Sequence, residues 1–215
     1  MDRKTSAKIL SEFLGTSLLL MAIVGSGIMA TNLTDNKALQ LVINAIAAVL
    51  MLMVIISIFA ARSGAHFNPV VTLLERSNGA INTSTTCYYF IAQITGAIFG
   101  TILANMMFGK PGIEISITDR LSTGNFLGEV IATFGLLLVI ALGASRAQFL
   151  VPAWIGTAYF FTASTSFANP AVTIGRIFTD TYSGISPNSV LGFILAQLLA
   201  LVLIKLILPL IRESM

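Results

Sequence analysis

Six long stretches of this sequence carry no charged residue: Phe13 to Ala30, Ala38 to Ala61, Ser77 to Gly109, Val130 to Ser145, Ala147 to Gly175 and Thr181 to Ile204. The chain is 56% hydrophobic and only 10% charged, whereas a soluble domain carries roughly 25% charged residues. About 20 apolar residues in a helix cross the hydrocarbon core of a bilayer. Helices also satisfy their own backbone polar groups there. The pattern predicts an all-α membrane protein with six spans, at about 9–31, 38–61, 82–108, 124–145, 149–166 and 188–210. The first run lacks a clear small-residue cleavage site, so a retained helix is expected rather than a signal peptide.

Charge placement then sets topology. With six spans the termini share a side, and that side receives Arg3, Lys4, Lys8, Arg62, Arg76, Arg146 and Arg212. The other side receives Lys37, Lys110, Arg120 and Arg176. The bias predicts cytoplasmic termini in a multi-pass protein of the cell membrane. The net charge of +3 is thus topological, and no nucleic acid partner is expected. Cys87 is the only cysteine and His66 the only histidine, which disfavours a disulfide or a metal site. No nucleophile–base pair or cofactor motif is evident, so neither an enzyme nor a cofactor is expected.

Two segments break the pattern of spans. Gly64-Ala65-His66-Phe67-Asn68-Pro69-Val70 and Ser164-Thr165-Ser166-Phe167-Ala168-Asn169-Pro170-Ala171 each run from a small loop through Asn-Pro into a short apolar stretch. Asn caps helix N-termini and Pro suits the first helical position. Each segment therefore starts a helix too short to cross the membrane. The same order of parts recurs in both halves of the chain: Glu12 and Glu129 in a first span, Asn-Pro after a second, Ala92-Gln93 and Ala196-Gln197 in a third. Three spans per copy place the second copy upside down, an inverted repeat with broken helices meeting at the midplane. One channel domain over 1–215 is expected, with repeats at about 1–112 and 120–215 and a polar connector at about 109–123 on the outside.

Opposed helix N-termini at the bilayer centre present unpaired N–H groups and partial positive charge. Irregular backbone at that depth is tolerated where it lines a wet cavity. Donors from Asn68 and Asn169 in the middle, with loop carbonyls along one wall, suit a neutral, hydrogen-bonding solute and repel cations.

The paired boxes Asn68-Pro69-Val70 and Asn169-Pro170-Ala171 resemble those of the aquaporin, or major intrinsic protein, family. Glu12-Phe13-Leu14-Gly15-Thr16 and Ala92-Gln93-Ile94-Thr95-Gly96 are similar to its first- and third-helix signatures. The resemblance covers essentially the whole chain. It implies the hourglass fold and a passive channel for water and small neutral solutes in membrane lipid, assembled as a homotetramer. It also implies that Glu12 and Glu129 brace the pore loops, and that Gly64, Ala65, His66 and Phe67 offer backbone carbonyls.

The chain departs from the family where Val172 follows the second box, a position usually held by Arg. By ungapped analogy the constriction falls at Ala48, Thr157 (or Gly156), Ser166 and Val172, a wide and uncharged set. That set favours glycerol, urea or metalloid hydroxides such as arsenous acid over strict water selectivity. Arg176 lies four residues further on; it is read as an interfacial arginine reaching toward headgroups, with the restoration of positive charge one helical turn from Val172 as the alternative. Two other readings stay open: a proton-coupled transporter using Glu12 and Glu129, and a structural membrane protein with a closed pore.

Overall fold

The computed structural model of the chain describes residues 2–212, and the described residues form helices joined by irregular segments, with no strand among them. The helices are α1 (Arg3–Leu33), α2 (Lys37–Ser63), α3 (Pro69–Ser77), α4 (Thr83–Met107), α5 (Thr123–Gly143), α6 (Ala147–Phe161), α7 (Pro170–Gly175) and α8 (Pro187–Arg212). Short polar side chains start most of them. Asp2 accepts from Thr5 N–H, Asn36 from Ala38 and Leu39, Asn82 from Thr85 and Ser122 from Asn125. Such caps satisfy donors that have no partner inside the helix.

Four of the expected spans, 9–31, 38–61, 82–108 and 188–210, correspond to α1, α2, α4 and α8 within a few residues at most ends. The fourth and fifth expected spans form a single 39-residue helical stretch, Thr123–Phe161. That stretch turns back at a short 3-10 segment, Ala144–Arg146. Trp154 Nε1 donates to the Ala132 carbonyl at 2.9 Å, its ring lies over Gly135, and Leu150 reaches Gly143. These pairings make α5 and α6 an antiparallel hairpin, and the crossings number six. The fifth span ends earlier than expected. α6 stops at Phe161 after 15 residues, about 22 Å of helix against a hydrocarbon core of about 30 Å. Residues 162–168 then lead as irregular chain from beside the start of α5, where Ala163 lies near Gly124, back to the centre where α7 begins; Thr162 is extended and Thr165, Ser166 and Ala168 have positive φ.

Close packing rests on small residues. A Cβ on Gly96 would stand 2.5 Å from the Phe13 carbonyl oxygen, and one on Gly100 would collide with that of Ser17. α1 and α4 therefore touch backbone to backbone, as small residues permit in membranes. α5 packs on α6 and α8, and α2 bridges α1 and α6. The outward faces are apolar: Leu191, Leu195, Leu199, Val202, Leu206 and Leu210 form an exposed stripe on α8. Glu12, Gln93, Glu129 and Gln197 are fully buried instead. Apolar outside and polar inside is the distribution expected of a bundle solvated by lipid.

The connector between the halves has no regular structure but is pinned to the segment before α8. Ser116 N–H donates to the Ile177 carbonyl at 2.8 Å, and Ser186 N–H to that of Thr118 at 2.7 Å. The Ser189 hydroxyl and the Leu121 N–H hold the Asp119 carboxyl below the ordinary carboxylate range.

Candidate functional site

α3 and α7 are short because the chain enters each from a loop in left-handed conformation. Gly64, Ala65 and Phe67 precede α3 with φ of 92°, 52° and 50°; Thr165, Ser166 and Ala168 precede α7 with 61°, 53° and 49°. A non-glycine residue in this region costs on the order of 1–2 kcal/mol. Two buried carboxylates hold the loops there. Glu12 accepts from Ser63 Oγ (2.6 Å), His66 N–H (3.0 Å), Phe67 N–H (2.7 Å) and Gln93 Nε2 (2.8 Å). Glu129 accepts from Phe167 N–H (2.8 Å), Ala168 N–H (2.8 Å) and Gln197 Nε2 (2.7 Å). Hydrogen bonds to a charged acceptor are worth about 1.5–3 kcal/mol each, enough to offset the strain. Each glutamine also donates to a threonine hydroxyl, Gln93 to Thr72 at 2.9 Å and Gln197 to Thr173 at 3.1 Å. Each threonine donates back to the carbonyl of the asparagine that starts its half-helix.

The two half-helices are locked to one another at their starts. Asn68 Nδ2 donates to the Ala168 carbonyl and Asn169 Nδ2 to the Phe67 carbonyl, both at 2.8 Å. Their Oδ1 atoms cap α3 and α7 by accepting from Val70, and from Ala171 and Val172. A carboxamide nitrogen carries two hydrogens. Among the described residues each Nδ2 has one partner, so one hydrogen of each remains for another acceptor.

That acceptor has room. A cavity of about 360 Å³ runs past both asparagines, lined on one side by Leu19, Ile23, Leu52, Leu136 and Ile155 and on the other by the two loops. Gly64, Ala65, His66 and Phe67 all border it, as do Ala48, Ser166 and Val172. Pro69, Val70, Pro170 and Ala171 are buried behind the asparagines as the first turns of α3 and α7. His66 Nδ1 lies 3.1 Å from Thr72 Oγ1, and its ring meets Tyr89 edge-on at 5.2 Å. Glu12 and Glu129 do not border the cavity. Among the described residues, the charged ones that do are Glu75 and Arg176, on the segments that leave the centre along α3 and α7.

Two sequence-based placements need correction. Thr157 does not reach the cavity: it is exposed, its hydroxyl donates to the Ala153 carbonyl at 2.8 Å, and it borders an outer groove with Val49, Pro152 and Phe160. The alternative, Gly156, lies in the same groove. α6 turns Val151, Ile155 and Tyr159 inward at four-residue spacing, and a residue two positions from Ile155 is rotated about 200° from it. Tyr159 therefore faces the cavity where Thr157 was expected. Arg176 does not reach toward headgroups. A 3-10 turn, Arg176–Phe178, follows α7 and carries the side chain back over the pore loop. Arg176 is 3% exposed, its Cζ lies 3.5 Å from the centroid of the Phe167 ring, and its Nε donates to the Ser183 carbonyl. The cavity wall at this end thus holds an aromatic hydroxyl and a guanidinium rather than an uncharged set.

Gln93 and Gln197 were visible in the sequence only as recurring Ala-Gln pairs; the recurrence was the signal for a shared role. Nothing in the pattern singled out Tyr159.

Comparison with known proteins agrees with this geometry. Residues 2–163 match the family model described as major intrinsic protein. The chain is 44% identical to the aquaglyceroporin AqpS of Rhizobium meliloti (strain 1021), over 96% of this chain and 94% of that protein. It is 37% identical to the aquaporin TIP2-3 of Arabidopsis thaliana over 61% of this chain, an alignment that spans 54% of the plant protein. The fold superposes on the X-ray structure of the aquaglyceroporin from Plasmodium falciparum with a TM-score of 0.71, at 23% identity, over 97% of this chain and 99% of that one. The chain belongs to the major intrinsic protein family: it is a multi-pass, non-enzymatic membrane channel for water and small neutral solutes.

Proposed function

We propose that the channel's principal cargo is neutral, hydrogen-bonding solutes larger than water, namely glycerol, urea and undissociated metalloid hydroxides such as arsenous acid. The observation that carries this reading is the crossed asparagine pair in a cavity of about 360 Å³. Each asparagine has one N–H left to offer an oxygen passing the waist. The loop carbonyls of Gly64, Ala65, His66 and Phe67 serve as acceptors along one wall, and Glu12 and Glu129 brace the loops that present them. Ala48, Ser166 and Val172 form the small-residue side of the outer constriction, with Tyr159 beside them. An apolar wall facing a hydrogen-bonding wall matches a polyol better than it matches water alone. The 44% identity to a protein named as an aquaglyceroporin supports the same cargo.

In this reading the domain is a pair of inverted repeats at about 1–112 and 120–215, assembled as a homotetramer in the lipid of the cell membrane with cytoplasmic termini. The excess of Lys and Arg on the terminal side supports that orientation. Proton coupling is disfavoured because Glu12 and Glu129 lie off the path and are engaged by N–H and hydroxyl donors.

Stopped-flow swelling of proteoliposomes in glycerol, urea and arsenous acid tests the proposal. The expected result is flux of all three well above that of empty vesicles and unchanged by a protonophore. Water flux without solute flux would refute the cargo, and collapse under the protonophore would refute the passive mechanism.

A further inference from the structure

We infer that Arg176 determines specificity at the outer constriction, where the sequence leaves Val172 in the expected arginine's place, and that Arg120 is the residue that positions it. The inference rests on the channel reading above.

Among the described residues Arg176 pairs with no carboxylate. Its Nε donates to the Ser183 carbonyl, and neither terminal amino group has a hydrogen-bond partner. Burying a charge on such terms is costly unless other groups compensate. One compensation is the face of Phe167, 3.5 Å beneath the guanidinium carbon, since an aromatic face attracts a cation. The other is the cavity itself, which the side chain borders. The two amino groups have only the contents of the cavity to bond. They therefore meet a passing solute's oxygens and repel cations.

The group is held on every side. Phe167 is fixed by its N–H to Glu129 and packs edge-on against Phe193, with ring centroids 5.0 Å apart. Ser183 is fixed by its own hydroxyl, which donates to the Ile23 carbonyl at 3.0 Å, and through its neighbours by Arg120, which reaches over from the connector. Arg120 Nε donates to the Gly184 carbonyl at 2.6 Å and its amino group to the Tyr182 carbonyl at 2.8 Å. These two residues flank the one that receives Arg176 Nε. Arg120 Cζ also lies 5.8 Å from the centroid of the same Phe167 ring. Its own backbone is tied down, the N–H to Ser189 Oγ at 2.8 Å and the carbonyl accepting from Asn125 Nδ2 at 2.6 Å. Arg120 does not border the cavity, so its influence on solutes passes through the 182–184 segment to Arg176.

The test compares a four-carbon polyol with glycerol in swelling assays on proteoliposomes. Removing a guanidinium from a constriction admits the larger solute, so Arg176→Ala is expected to raise the four-carbon/glycerol permeability ratio about tenfold, a discrimination of the size that shape at a tight site provides. Arg120→Ala raises the same ratio by less, and adds nothing further in the Arg176→Ala background. Arg176→Gln, which keeps a polar tip without the charge or the planar stack, gives an intermediate ratio and serves where the alanine variant does not fold. An unchanged ratio in a folded Arg176 variant overturns the assignment. Additive effects of the two substitutions overturn the positioning role of Arg120, because a merely structural contribution would not depend on Arg176. Wild-type vesicles that pass no glycerol count against the channel's cargo itself, a different outcome from glycerol flux with an unchanged ratio.

Discussion

Replacing Glu129 by glutamine is a change of one atom, and the structure sets its cost. One oxygen of the carboxylate takes the Phe167 N–H and the other takes Ala168 N–H and Gln197 Nε2, with the Ser164 hydroxyl as a further donor. A carboxamide has one acceptor and one donor end. Its better orientation keeps the Ala168 and Gln197 bonds and turns an NH₂ group against the Phe167 N–H. One charge-assisted bond, worth about 1.5–3 kcal/mol, is lost, and a buried donor is left facing another donor. Relief from burying a negative charge returns part of this. A net destabilisation of about 2–4 kcal/mol follows, or on the order of 4–16 °C in melting temperature for a chain of this size. The assay is thermal unfolding of Glu129→Gln in detergent, alongside glycerol flux from vesicles holding equal amounts of inserted protein. Lower stability with flux retained is the expected result. Wild-type stability with flux abolished and a lost response to a proton gradient would refute the bracing role and support proton relay.

Asn68→Asp and Asn169→Asp keep the capping oxygen, so insertion survives, but each removes both hydrogens of Nδ2; neutral-solute flux should fall by about tenfold or more, and normal flux from inserted protein would remove the waist from the mechanism. Val172→Arg adds a second guanidinium one helical turn from Arg176, so water and glycerol flux should fall together in swelling assays. A fall confined to glycerol would show that Arg176 does not occupy the constriction. Thr157→Val faces the outer groove, and its glycerol and water permeabilities should match wild type within about 1.5-fold, the range expected of a surface change; altered selectivity would put α6 in the other register.

The half-helices were legible because their signal is local. Asn68-Pro69 and Asn169-Pro170 carry cap and first turn in adjacent positions, and the structure gives them the cap bonds and α3 and α7 that this chemistry dictates. The Glu12 and Glu129 contacts needed more, since each joins residues 38 to 55 positions apart. What made them readable was cost: a carboxylate inside an apolar helix must find donors, and strained loops supply them. The recurrence of Glu, Asn-Pro and Ala-Gln in one order then tied the two halves together.

The proposed constriction follows a different logic, and counting positions fails there for a physical reason. A helix repeats every 3.6 residues, so an error of two positions carries a side chain to the opposite face. α6 is short and ends in irregular chain from Thr162 onward, which removes the fixed point from which a count would start. Tyr159 faces inward and Thr157 outward as a result. The placement of Arg176 turns on the other weakness of a sequence, the helix end. Four residues past Val172, a side chain on a continuing helix shares its face one turn further from the waist, and the helix end decides whether it turns to the cavity or runs on to the headgroups. The backbone tightens instead into a 3-10 turn, and the loop 182–184 offers a carbonyl where lipid was expected. Arg120 from the connector and the Ile23 carbonyl of α1, which accepts from Ser183 Oγ, hold that loop in place. A guanidinium thus reaches the cavity four residues past Val172, and the contacts that aim it, the Ser183 carbonyl and the Phe167 ring, come from segments that only the fold brings together.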